Sequence, residues 1–276
     1  MSKGFLIFAQ NTESVDYVQQ AYALTLSIHN SQEEITNVSL ITNSQVPAEY
    51  RSVFDQIIPI PYFKDINNSP LQAEHRYQLY SATPYLETIV LDADMLVLAD
   101  ITDWWEYCKN VDIKFCSRIK NYKLETINED PFHRKTFIAN NLPSPYFALH
   151  YFKKSNNAEY FYKTLEFVVN NWDLCCEKFA PKEYQPWISM DLATAIAINI
   201  SGMDEVVDTI NPLEFIHMKP LIQGWSLPVV SWKDITLTYL NSNKELFVNN
   251  IKQGRIFHYV DKTFLTQSLI KDLLNV

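Results

Sequence analysis

The chain has 276 residues, 47% of them hydrophobic and 20% charged, with a formal net charge of −9. That content can build the core of one large α/β domain, and it excludes a disordered tail or a fibre. The acidic balance, with a pI near 5.2, argues against general affinity for nucleic acid or anionic lipid.

Only four glycines occur, where an average chain carries ~7%. No G-x-G-x-x-G turn is present for a dinucleotide, and no G-x-x-x-x-G-K-[ST] loop is present to wrap a phosphate. A nucleotide bound here would need its phosphates held another way, and a metal ion gripped by carboxylates is the usual means. The four cysteines, 108, 116, 175 and 176, form no C-x-x-C pair, so reduced thiols in a reducing compartment are expected.

The opening MSKGFLIFAQN holds an apolar run too short for a signal h-region or a bilayer span. It reads as a first strand buried on both faces, in a cytoplasmic protein with no transmembrane segment. Apolar residues at Val15, Val18, Ala21, Leu24 and Ile28 then recur at helical spacing. Val38–Thr42 is a second strand, Pro47 opens a short helix, and Gln56–Ile60 is a third strand. Ala73–Ala82 is helical and ends before Thr83-Pro84, because proline disfavours helix in its predecessor. Thr88–Leu91 is a fourth strand. The βαβ rhythm predicts a parallel, doubly wound sheet.

Beyond residue 100 the rhythm loosens. Thr102–Tyr107 reads as a short helix and Asp112–Cys116 as a strand. Residues 118–143, polar and rich in Asn, Lys and Glu, read as a mobile loop or lid. Pro145–Phe152 is strand-like, and helices are expected over 158–170 and 187–200, with Cys175 and Cys176 following the first of these. Short strands near 233–239 and 255–259 precede a closing helix near 264–274. No repeat or linker divides the chain, which reads as one domain over 1–276.

The chemistry concentrates in Ile89-Val-Leu-Asp92-Ala-Asp94-Met-Leu-Val97. A buried strand ends in two carboxylates one residue apart, and ligands gather at the carboxyl ends of parallel strands. Burying two like charges without a counter-ion costs several kcal/mol. A divalent metal removes that cost, and hard Mg²⁺ or Mn²⁺ prefers carboxylate and phosphate oxygens. The competing explanation, two acids capping the next turn, suits a bare D-x-D better than one set between apolar runs.

This block resembles the D-x-D segment of glycosyltransferases with the GT-A fold, family 8 in particular, which includes glycogenin and bacterial lipopolysaccharide galactosyltransferases. The family carries a basic residue on a helix about sixteen positions upstream, and Arg76 stands sixteen before Asp92. It closes its metal site with a distant histidine followed by a lysine, as in Arg255-Ile-Phe-His258-Tyr-Val-Asp-Lys262, although its usual Gly and K-P-W elements are missing here. The resemblance covers about residues 4–262. It implies a GT-A, Rossmann-like fold with a mixed, mostly parallel central sheet flanked by helices.

The resemblance further implies a glycosyltransferase, with residues 1–117 binding metal and nucleotide-sugar and 118–276 binding the acceptor. Asp92, Asp94 and His258 would hold Mn²⁺ or Mg²⁺, with Asp92 also reaching the ribose. Lys262 would neutralise the departing diphosphate, Arg76 would meet donor sugar or phosphate, and Ala9, Gln10 and Asn11 would line the base and ribose of a UDP-sugar. His217 competes with His258 for the metal.

Two departures bear on mechanism. Where retaining members carry F-N-[SA]-G, this chain has Tyr146-Phe-Ala-Leu. Where they carry an acidic residue and glutamine, it has Asp191-Leu192. Asp191 is the expected acceptor-side residue, to orient the hydroxyl or act as base, with Trp187 and Trp225 as candidate sugar contacts. Trp104 and Trp105 are expected to anchor a helix in the core. The acceptor could be a glycan, a lipid-linked sugar, a protein or a modified DNA base. A nucleotidyltransferase would want a glycine-rich basic loop after strand one. A non-catalytic sugar-binding protein would want its metal ligands lost.

Overall fold

A computed structural model describes residues 2–61, 73–127, 131–184, 186–207, 212–218, 234, 236–259 and 261–274. Its centre is a six-stranded sheet in the order β3-β2-β1-β4-β8-β6. The strands are β1 Lys3–Phe8, β2 Val38–Ile41, β3 Gln56–Ile58, β4 Glu87–Asp92, β6 Ile113–Cys116 and β8 Tyr146–Lys153. The first four run parallel, and antiparallel β8 joins β4 to β6.

Alternation along each strand sorts side chains to the two faces. Phe5, Ile7, Ile89 and Leu91 pack with α1 (Tyr17–Ser31) and with Trp104 and Trp105 of α4 (Thr102–Cys108). Leu6 and Val90 face the other way, toward α6 (Asn156–Asn170) and α8 (Met190–Ser201). Both tryptophans are fully buried, the anchoring role expected of them. Apolar burial on both faces explains why β1, β2 and β4 are continuous hydrophobic runs rather than alternating ones.

A second sheet, β5-β13-β9-β7, is assembled from distant pieces: Met95–Val97, Ile256–His258, Glu214–His217 and Arg118–Lys120. A three-stranded antiparallel sheet of β10 (Thr238–Leu240), β11 (Leu246–Val248) and β12 (Ile251–Lys252) falls between β9 and β13 in sequence. The 3-10 helix Ala73–Gln78 runs into α3 (Leu79–Ala82) and stops before Thr83, as the proline two residues on requires. The closing helix is Gln267–Leu274.

Three readings need correction. Residues 118–143 are not one long loop: they contain β7 and α5 (Pro131–Ala139). Polar composition hid both, since β7 is only three residues long and α5 is a two-turn helix kinked at Arg134. The helix expected from residue 187 begins at Met190, where Ser189 accepts a hydrogen bond from the Leu192 amide. Cys175 and Cys176 lie inside helix α7 (Trp172–Phe179), buried and unbridged. Among the described residues no helix is long and apolar enough to cross a membrane.

Candidate active site

β4 delivers Asp92 to the carboxyl edge of the central sheet, in register with Phe8 at the end of β1. The chain turns through Ala93-Asp94, and β5 departs for the second sheet. There β5 pairs antiparallel with β13, setting Met95 opposite His258 and Leu96 opposite Phe257. That register brings the imidazole beside Asp94, with His258 Nε2 3.1 Å from the carboxylate. The Tyr259 amide donates to the Asp94 carbonyl at 3.2 Å, which closes the junction.

One potential ligand atom from each of Asp92, Asp94 and His258 lies within 4.8 Å of the others. Around an octahedral ion with bonds of ~2.1 Å, ligand atoms are separated by ~3 Å when adjacent and ~4 Å when opposite. With small side-chain rotations two carboxylates and an imidazole this close could share a single divalent ion, and a mixed oxygen–nitrogen set suits Mn²⁺ better than Mg²⁺. His258 Nδ1 is buried with no hydrogen-bond partner among the described residues. The Asp94 carboxylate only accepts, so the hydrogen between the two side chains sits on Nε2.

Cations stand on both carboxylates. Lys262 Nζ donates to Asp94 and Arg76 Nη2 to Asp92. Burial works against ionisation of Asp94, yet His258 and Lys262 together hold its carboxyl well below the usual carboxylate range. The Lys262 ammonium also lies 4.9 Å from the Tyr17 ring centroid. Burial raises the Tyr17 hydroxyl above its ordinary value, with Lys262 opposing and the two aspartates adding to the rise. The Arg76 guanidinium lies 5.0 Å from the Phe147 ring centroid.

The loop after β1 continues from the same sheet edge. Ala9 is buried, and its amide donates to the Ile41 carbonyl. Gln10 Oε1 is buried without a partner among the described residues. Asn11 Oδ1 accepts from the Val18 amide at 2.9 Å, tying the loop to the first turn of α1. Asp191, in the first turn of α8, accepts from the Phe147 amide at 2.8 Å. Phe147 therefore links Asp191 to Arg76, and through Arg76 to Asp92.

Of the other anticipated residues, His217 stands on β9 beside His258, ring centroids 5.0 Å apart, outside the three-residue ligand group. Trp187 is 64% exposed, just before α8. Trp225 lies outside the described residues. Sequence reasoning missed Tyr17, which sits in an ordinary amphipathic helix pattern. It also missed Arg134, which pairs with Asp191 at 3.1 Å but belongs to a stretch with no apolar periodicity.

No protein-family profile matches the chain, and no curated protein matches it by sequence. Its structure does have likenesses. One is the galactosyltransferase LgtC, solved in complex with donor and acceptor sugar analogs: 11% identity, TM-score 0.52, 99% of this chain and 95% of that one covered. Another is mouse xyloside xylosyltransferase 1, apo form: 10% identity, TM-score 0.54, 96% of this chain and 100% of that one covered. At such identities the likeness establishes the fold alone, and that fold is the mixed, mostly parallel sheet anticipated from the D-x-D block.

Proposed function

We propose that this chain, built on the fold shared with those two transferases, is a metal-dependent glycosyltransferase. It takes a hexose or pentose from a nucleotide-diphosphate sugar, with UDP as the nucleotide, and passes it to an acceptor hydroxyl. The observation that carries the reading is the convergence of Asp92, Asp94 and His258 within 4.8 Å. The histidine arrives from the far end of the chain, and two cationic side chains stand beside the group.

In this reading Asp92, Asp94 and His258 hold Mn²⁺ or Mg²⁺, which, when bound, supplies Lewis acidity to the departing diphosphate. Lys262 and Arg76 are placed to exchange their carboxylate partners for phosphate oxygens, and a guanidinium can do so with two parallel bonds. Ala9, Gln10 and Asn11 line the nucleoside side, where Gln10 Oε1, without a partner among the described residues, is an available acceptor. Asp191 faces the acceptor and orients its hydroxyl or receives its proton. The N-terminal half, 1–117, then serves the donor, and 118–276 supplies the acceptor side and the last metal ligand.

The test is release of nucleoside diphosphate from a panel of UDP-, GDP- and CMP-sugars with Mn²⁺, Mg²⁺ or EDTA. Turnover of one donor that requires metal and is lost in Asp94→Ala is the expected result. No turnover and no nucleotide binding with any metal would sink the reading.

A further inference from the structure

Arg134 has no counterpart in the motif likeness, yet its environment is among the most specified in the molecule. It is 5% exposed and interrupts α5 with φ −121° and ψ 18°. Its guanidinium lies 3.5 Å from the centroid of the Tyr146 ring and 4.8 Å from that of Phe137. Nη1 donates to the Pro145 carbonyl at 3.3 Å and stands 3.1 Å from Asp191 Oδ2. Burying a guanidinium among rings is unfavourable unless its partners compensate.

The compensation centres on one carboxylate. Asp191 Oδ1 is taken by the Phe147 amide at 2.8 Å and Oδ2 by Arg134. With a separate donor on each oxygen, the carboxylate can neither rotate nor tilt, while its side chain stays 31% exposed. Helix α5 and the residue after it hold the segment leading into α8. Asn140 exchanges hydrogen bonds with the Lys182 backbone at 2.7 and 3.1 Å, and Lys135 pairs with Glu183 at 2.7 Å.

We propose that Arg134 is a positioning residue for the acceptor side: it locks the Asp191 carboxylate in the one orientation that presents its remaining lone pairs to the acceptor hydroxyl. This rests on the transferase reading above, and the experiment separates the two. Holding a reacting group in place is worth about a hundredfold in rate when a displacement of about 1 Å is prevented. That loss belongs in kcat, not in donor affinity, because neither Arg134 nor Asp191 touches the metal ligands.

The experiment measures metal-dependent hydrolysis of the donor identified by the panel, with water as acceptor, alongside calorimetric binding of UDP with Mn²⁺. Arg134→Gln and Asp191→Asn should each lower kcat about ten- to a hundredfold and leave UDP affinity within about twofold. The double variant should lose no more than either single one. Arg134→Lys, which keeps the charge but not the planar fork, should recover part of the rate. If Arg134→Gln does not fold, Arg134→Lys decides: it should slow the native chain and have no further effect in the Asp191→Asn background. Wild-type kcat in the folded Arg134 variants overturns the proposal and leaves the transferase reading intact. So does an equal loss of UDP affinity, or additive losses in the double variant. A wild-type chain that neither hydrolyses any donor nor binds UDP overturns both.

Discussion

Asp94 gathers three partners: an imidazole and an ammonium on its carboxylate and the Tyr259 amide on its backbone carbonyl. Lys262 has two prospective uses, balancing Asp94 and meeting a diphosphate. Lys262→Met should therefore weaken UDP binding in the presence of Mn²⁺ by about ten- to a hundredfold, the worth of a charge-assisted hydrogen bond of about 1.5–3 kcal/mol. Calorimetry decides it, and unchanged affinity would remove Lys262 from the donor site.

His150 tests a different single-residue claim. It is fully buried on β8, with Nδ1 2.9 Å from the Phe147 carbonyl and Nε2 2.7 Å from the Tyr162 hydroxyl. A carbonyl only accepts, so Nδ1 carries the hydrogen and Nε2 accepts from Tyr162: the ring is neutral. Burial pushes its pKa down to about 3. Between there and the ordinary value of about 6.5 the unfolded chain binds the extra proton, so stability is complete above that range and falls on acidification through it. The slope is about 1.4 kcal/mol per pH unit at most. In denaturant titrations from pH 7.5 to 4.5, wild type should lose more stability than His150→Gln; parallel curves would contradict the assignment.

At the scale of elements, strands are the sturdier part of what the sequence shows. β1, β2 and β4 are legible because burial on both faces leaves a continuous apolar signature. β7 is not, because a three-residue strand with Arg118 and Lys120 pointing to Glu214 looks like loop. α5 escapes for a related reason: Arg134 and Thr136 occupy positions where apolar residues would announce a buried face. Gly4 shows how tightly the legible strands are packed. A Cβ there would sit 2.4 Å from the Tyr85 ring, whose hydroxyl is bonded to Ser39 at 2.8 Å and to Asp55 at 3.3 Å. The ring cannot swing away without breaking both bonds. Gly4→Ala should thus lower stability by about 1–3 kcal/mol, the usual cost of overpacking, read as a shifted denaturation midpoint with unchanged slope.

For the whole molecule, the D-x-D block and the histidine were each readable, but not the mechanism that joins them. Lys262 and Asp94 are 168 positions apart, and only the β5–β13 register makes them neighbours. No local pattern encodes a pairing between three-residue strands. An ion shared by Asp92, Asp94 and His258 would cross-link that junction. Saturating Mn²⁺, at about a hundred times its dissociation constant, should stabilise the native state by about 2.7 kcal/mol. Asp94→Asn should lose that gain, and hydrogen exchange should slow around residues 256–258 in wild type alone. A uniform thermal shift in both proteins would point to binding elsewhere.

The two sheets also differ in when they can form. Every strand of the six-stranded sheet lies before residue 154, whereas the second sheet waits for Ile256–His258 to enter between β5 and β9. During synthesis Asp92 and Asp94 emerge long before His258. Until β13 arrives, β5 and β9 present open edges able to pair with other chains. A chain stopped at residue 250 should keep strand and helix signals in circular dichroism yet self-associate in sedimentation more than the chain of residues 1–276 does. The junction that gathers Asp92, Asp94 and His258 is then also the point at which the nascent molecule stops being adhesive.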